Sequence, residues 1–84
     1  MAITLHISDS IAAGLRLPEG EIDARLRLEL ALALYGQGIL SFGKAAELAG
    51  LDQVHFAEQL TARGIPRHYG PEELAEDLSY ARGE

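Results

Sequence analysis

Apolar and polar positions along this chain follow two different periods. Ile3, Leu5 and Ile7 are two residues apart with Thr4 and His6 between them, which predicts a short half-buried β-strand ending at Ser8-Asp9-Ser10. Ser8 or Asp9 then caps one helical turn through Ile11, Ala12 and Ala13 that stops at Gly14, and Leu15 and Leu17 return apolar groups to the core ahead of Pro18. From Glu21 to Tyr35 the pattern fits both periods, because Ile22, Ala24, Leu26, Leu28, Leu30, Leu32 and Leu34 alternate as in a strand while also filling helical positions. Residue type and length decide it. Leu, Ala, Glu and Arg are strong helix formers, Ile22 is the last β-branched residue of the stretch, and a strand rarely exceeds ~5 to 6 residues by much. Glu21 with Arg25 and Asp23 with Arg27, acid first and four apart, add two expected ion pairs to that helix.

The last two turns of the predicted helix, Leu30 to Tyr35, have no polar face and need cover on almost every side. A chain of 84 residues supplies little of that cover alone, so the pattern predicts an intertwined homodimer or a partner that covers the helix, with cover by the chain's own other helices as the alternative. After Gly36 and Gly38, Ser41 caps a helix from about Phe42 to Ala49 and Gly50 ends it. A second helix runs from Asp52 to Arg63, with Phe56 and Leu60 one above the other and Gly64 at its close. Ile65 to Tyr69 predicts a second short strand, which Pro66 confines to a sheet edge beside Met1 to Ile7. Gly70-Pro71-Glu72-Glu73 then starts an acidic helix with the narrow apolar stripe Leu74, Leu78, Ala81. The expected fold is mainly α with short β-strands: a helix-turn-helix domain with a long central helix, assembled as an intertwined homodimer. Residues 1–84 form one small domain, divided into a strand and short helical lead-in (1–20), the central helix (21–36), the helix-turn-helix (41–64), and a short strand with the acidic C-terminal helix (65–84).

Composition narrows the function classes. The mass of 9.1 kDa leaves no room for a multidomain enzyme, and the absence of cysteine removes disulfides and thiolate metal sites. No apolar run approaches the ~20 residues of a membrane span, and Met1 to Leu5 lacks the basic start of a secretory signal, so a cytoplasmic protein without a membrane partner is expected. The net charge of −6 argues against a basic coat for nucleic acid. Five of the 13 acids fall in residues 71–84 beside a single base, Arg82.

No phosphate-binding glycine loop, nucleophile elbow or metal-binding helix is present, so no catalysis and no cofactor are expected. His6, His55 and His68 belong to a strand, a helix and a second strand, and surface or partly buried histidines are the simpler reading than a metal site. The informative stretch is Ser41 to Arg63. Ala45 and Ala46 let two helices approach, Gly50 takes the turn, and Leu51 with Phe56 fills the wedge between them, as in a helix-turn-helix. The face that would enter a major groove makes Ser41, Lys44, Asp52, Gln53, His55, Gln59 and Arg63 the candidate DNA-contacting residues. Its charges balance, so one copy should bind weakly and a dimer better. In the C-terminal part, Arg67, Tyr69, Leu74, Leu78, Tyr80 and Arg82 are the candidate partner-binding residues, with the apolar stripe fit for a groove and Tyr80 as an anchor.

Three stretches together carry a resemblance: Glu29 to Tyr35, then Leu40 to Gly50, then Arg63-Gly64-Ile65-Pro66-Arg67-His68-Tyr69 ahead of the closing acidic helix. The chain resembles an uncharacterised family of small prokaryotic helix-turn-helix proteins regarded as antitoxins and commonly encoded beside PIN-domain, Mg²⁺-dependent ribonucleases. The resemblance implies a type II antitoxin that neutralises a PIN-domain toxin and represses its own operon. Members often carry Ser-Arg-aromatic after the turn, where this chain has Asp52-Gln53-Val54-His55. That departure weakens the case for operator DNA as a partner. A stand-alone transcriptional regulator, or a dimeric interaction module that does not touch DNA, are the alternative readings.

Overall fold

The computed structural model of the chain describes residues 1–68. It contains four α-helices: α1 (Asp9–Gly14), α2 (Ile22–Gly36), α3 (Phe42–Ala49) and α4 (Gln53–Ala62), with one 3-10 turn at Glu19–Glu21 ahead of α2. The mainly helical class and the long central helix are as the sequence predicts. The two short strands are not, because no strand occurs among the described residues.

Caps account for the helix boundaries. Ser8, Ser41 and Asp52 each sit in extended backbone, and each side chain accepts a hydrogen bond from the backbone N–H three residues on. The acceptor satisfies one of the donors that a helix start leaves without a partner. Both α3 and α4 end in the same way. Gly50 and Gly64 adopt φ of 72° and 67°, and the next residues turn back, Leu51 N–H to the Ala46 carbonyl at 3.0 Å and Ile65 N–H to the Leu60 carbonyl at 2.9 Å. That left-handed turn suits glycine, which has no Cβ to clash.

The core is small and aromatic. Ala31, Leu32 and Tyr35 of α2, Phe42, Ala45 and Ala46 of α3, and Phe56 and Leu60 of α4 are buried, with Leu28, Leu40, Leu51 and Ile65 packed around them. Tyr35, Phe42 and Phe56 form a triangle of edge-to-face rings with centroids 5.6 to 6.2 Å apart. Such contacts add about 0.5 to 1.5 kcal/mol each to the area the rings bury. Ala45 and Ala46 keep α3 close to its neighbours, as their size predicts.

Residues 65–68 replace the expected second strand with a strap across this core. Pro66 has no N–H to give a sheet, the His68 N–H donates to the Tyr35 hydroxyl at 2.6 Å, and the Arg67 guanidinium lies 3.7 Å from the centroid of the Phe42 ring. The His68 ring stacks at a tilt on Tyr35, with Nε2 3.0 Å from the Tyr35 carbonyl oxygen. A carbonyl only accepts, so Nε2 carries the proton. The Tyr35 hydroxyl of α2 thus takes up the His68 N–H that a sheet neighbour would have used. Tyr69 and the C-terminal helix predicted from Pro71, with Leu74, Leu78, Tyr80 and Arg82, lie outside the described residues.

The N-terminal part is built differently. Residues 1–7 are exposed and form neither helix nor strand, and their Ile3, Thr4, Leu5 and Ile7 wall an open groove of about 510 Å³ whose other side is Asp23, Leu26, Arg27, Leu30 and Leu48. The turns of α2 that lack polar residues are therefore covered on one side only. Ala31, Leu32 and Tyr35 are sealed by α3 and α4, while Leu30 is 39% exposed on the groove side.

Candidate functional site

The pair α3 and α4, joined by Gly50-Leu51-Asp52, holds five of the residues predicted to touch DNA, Lys44, Asp52, Gln53, His55 and Gln59, with Ser41 at the N-cap of α3 and Arg63 at the C-cap of α4. Ser41 is used as the cap of α3, its Oγ accepting from the Lys44 N–H at 3.3 Å. The Lys44 ammonium is 3.5 Å from the Glu47 carboxylate, an exposed pair one turn along the same helix. Arg63 reaches back across the fold to α2, where its guanidinium grips both oxygens of Glu29 at 2.8 and 2.5 Å. Gln53 and Gln59 are half-buried, and the Gln53 Nε2 is buried without a hydrogen-bond partner among the described residues.

The residues left exposed on α4 are Val54, His55, Glu58, Thr61 and Ala62, with Asp52 at the cap. Asp52 does two things. One oxygen accepts the His55 N–H at 2.7 Å, and the carboxylate also receives the His55 ring Nδ1–H at 2.7 to 2.8 Å. The backbone N–H and then the ring of His55 hold the Asp52 carboxyl below the usual range for an aspartate. The hydrogen bond and charge of Asp52, with Glu58 behind them, raise His55 above an ordinary histidine. His55 therefore keeps its positive charge further towards neutral pH and holds it between two carboxylates. With Nδ1 engaged, Nε2 is the ring atom available to an outside acceptor.

Glu29 is the charged centre that the sequence did not predict. It receives Arg63 in a bidentate grip and the Arg25 Nε at 3.0 Å, and the Arg63 hydrogen bonds above all bring its carboxyl down to about 2. Arg25 was expected to pair with Glu21, one turn earlier. Glu21 instead belongs to the 3-10 turn before α2, and Arg25 pairs forward with Glu29; Asp23 and Arg27 pair as predicted, at 2.8 Å. The spacing of 34 residues between Glu29 and Arg63 gives no local signal. Val54, 68% exposed in the first turn of α4, was also missed, although an apolar residue between two polar ones at a helix start was a visible cue. Arg67, predicted to meet a partner, lies over Phe42.

No group of three His, Asp or Glu side chains is arranged to hold a metal ion among the described residues. His6 is on the N-terminal segment, His55 on α4 and His68 on the strap. No helix among those residues is long and apolar enough to cross a membrane.

Comparison with known proteins places the whole arrangement. The model of an uncharacterised protein family, UPF0175, matches residues 1–83. The chain belongs to the UPF0175 family. A UPF0175 protein of Aeropyrum pernix is 53% identical over 72 residues, covering 86% of this chain and 81% of its own. One from Archaeoglobus fulgidus is 40% identical over 62 residues, covering 74% and 71%, and one from Synechocystis is 37% identical over 82 residues, covering 95% and 85%. UPF0175 thus spans archaea and bacteria. No solved structure matches this chain.

Proposed function

We propose that this UPF0175 protein is a homodimeric antitoxin that represses its own operon through α3 and α4, acting as a helix-turn-helix, and neutralises a PIN-domain ribonuclease through its C-terminal residues. The observation that carries the DNA half is the exposed first turn of α4. Val54 and His55 stand clear of a rigid aromatic core, behind a tight glycine turn and a side-chain cap, where a recognition helix presents its base contacts. An apolar side chain there suits a thymine methyl, and a histidine with a free Nε2 suits a guanine or phosphate oxygen. The toxin half rests on the resemblance of the sequence to antitoxins encoded beside such ribonucleases.

One observation favours a second reading. Lys44 and Arg63 are both engaged by carboxylates, and the exposed turn of α4 carries Asp52 and Glu58 around the single His55. That surface is poor in the positive charge on which DNA affinity depends. It suits a dimeric interaction module that does not touch DNA.

Two measurements separate these readings. Binding of the purified protein to a duplex of its own promoter should weaken as pH rises through the elevated titration of His55, and His55→Ala should weaken it and remove the pH dependence. Binding that is absent at low salt would leave the interaction module. Co-expression with the product of the neighbouring gene, followed by pull-down and an RNA-cleavage assay, tests the other half: a complex without suppressed cleavage would defeat the antitoxin reading.

A further inference from the structure

The N–H and C=O groups of residues 1–7 make no hydrogen bond among the described residues; the first backbone acceptor along the chain is the Ser8 carbonyl, 2.9 Å from the Ala12 nitrogen. Free backbone groups of this kind are a template for another strand, and the alternation of Ile3, Leu5 and Ile7 suits extended backbone. Its apolar residues are half-seated. Ile3, Leu5 and Ile7 line the groove on α2, yet remain 77%, 70% and 43% exposed, and Leu30 opposite them is 39% exposed. One strand is too narrow to close this groove, and a second strand beside it brings a second row of side chains onto the same face.

We propose that the second strand is the same segment of a second copy: two chains join through residues 1–7, paired antiparallel about a two-fold axis at Leu5. The sequence is self-complementary in that register. Leu5 faces Leu5 of the second copy, Ile3 faces Ile7, and Thr4 faces His6, so all six large apolar side chains fall on one face and the polar ones on the other. Charge does not oppose a copy of this chain at this place even though each copy carries −6, because His6 is the only ionisable side chain in residues 1–8 and the groove's Asp23 and Arg27 neutralise each other at 2.8 Å. The apolar face of the ribbon then lies against Leu26 and Leu30 of both copies, covering the side of α2 that α3 and α4 leave open. This inference deepens the homodimer of the proposed function and rests on that reading only there; it needs neither the DNA nor the toxin partner.

The absence of cysteine makes the register directly readable. Opposed residues of an antiparallel pair have Cα atoms about 4.5 to 5.5 Å apart, inside the disulfide range, whereas diagonal ones at about 7 to 8 Å lie outside it. Under mild oxidation Leu5→Cys should give a disulfide-linked dimer about tenfold faster than Thr4→Cys, whose diagonal partner is out of reach. By sedimentation at about 10 µM the natural chain should be a dimer, and Leu5→Asp should raise the dissociation constant by about 100-fold or more, with an unchanged far-UV circular dichroism spectrum. A monomeric natural chain, a dimer that Leu5→Asp leaves intact, or equal crosslinking at positions 4 and 5 would each overturn the proposal. Should Leu5→Asp lose its helical spectrum, the two cysteine variants decide alone. Failure of operator or toxin binding moves none of these readouts, so it counts only against the proposed function.

Discussion

The two ends of α2 live in different surroundings, and the charges of the helix, Asp23, Arg25, Arg27 and Glu29, all precede the apolar run from Leu30 to Tyr35. Its C-terminal half is wrapped: Tyr35 is fully buried, Phe42 and Phe56 meet its ring, and His68 takes both its hydroxyl and its carbonyl. Its N-terminal half leans on a segment that contributes no buried residue. The difference shows that apolar content does not by itself make a core. Alternating Leu and Ala supply the surface, and the aromatic residues of α3 and α4 convert one side of it into a packed interior, while Leu30 on the other side stays 39% exposed.

The sharpest way to break this contrast is Phe56→Ala, which removes a fully buried ring from the aromatic triangle and should cost about 3 to 5 kcal/mol, read as a fall in the urea midpoint or outright unfolding. Gly50→Ala acts on the backbone alone, since nothing lies within 4 Å of the added Cβ but φ is +72°; it should cost about 1 kcal/mol in the same assay. Glu29→Gln comes next. Both partners of the ion pair are partly exposed, so water screens it and the loss at neutral pH should be at most ~1 kcal/mol. Its pH dependence is more telling: the carboxyl is lowered from 4.5 to about 2, so its contribution is complete above about 4.5 and disappears as pH falls through about 2. The gap between the natural chain and Glu29→Gln should close over that window. Removing residues 1–7 should have the smallest effect on the core itself. The shortened chain should unfold at the same midpoint at any protein concentration, while the natural chain's midpoint rises with concentration as a dimer's does.

The helix pair was legible in the sequence, because its signals are local. Ser41 and Asp52 before apolar periodic stretches, and Gly50 and Gly64 after them, mark boundaries that the structure reproduces to within a residue. The strands were not, and the reason differs at each end. Alternation at Ile3, Leu5 and Ile7 describes an extended segment with one apolar face, and it carries no information on whether a partner strand lies within the same chain. At Ile65 to His68 the outcome depends on Tyr35 and Phe42, more than twenty residues away in sequence, capturing His68 and Arg67. The candidate DNA face suffered in the same manner. Lys44, Arg63 and Gln53 have the right residue types at the right spacing, but Glu47, Glu29 and the helix interface engage or enclose them first. Asp52 and His55, held to each other at the start of α4, are both exposed.

His68 fixes the place from which the last sixteen residues depart. Through the hydroxyl, the carbonyl and the ring of Tyr35, that point of departure is moored to a fully buried side chain of α2. A molecule that grasps the chain just beyond His68 therefore pulls on the aromatic centre. If it tightens this mooring, its binding energy is felt as resistance of α3 and α4 to unfolding; if it must lift His68 away, it competes with the fold for the same atoms. Grip on the tail and firmness of the helix pair are in that sense one thermodynamic quantity, measured from two ends.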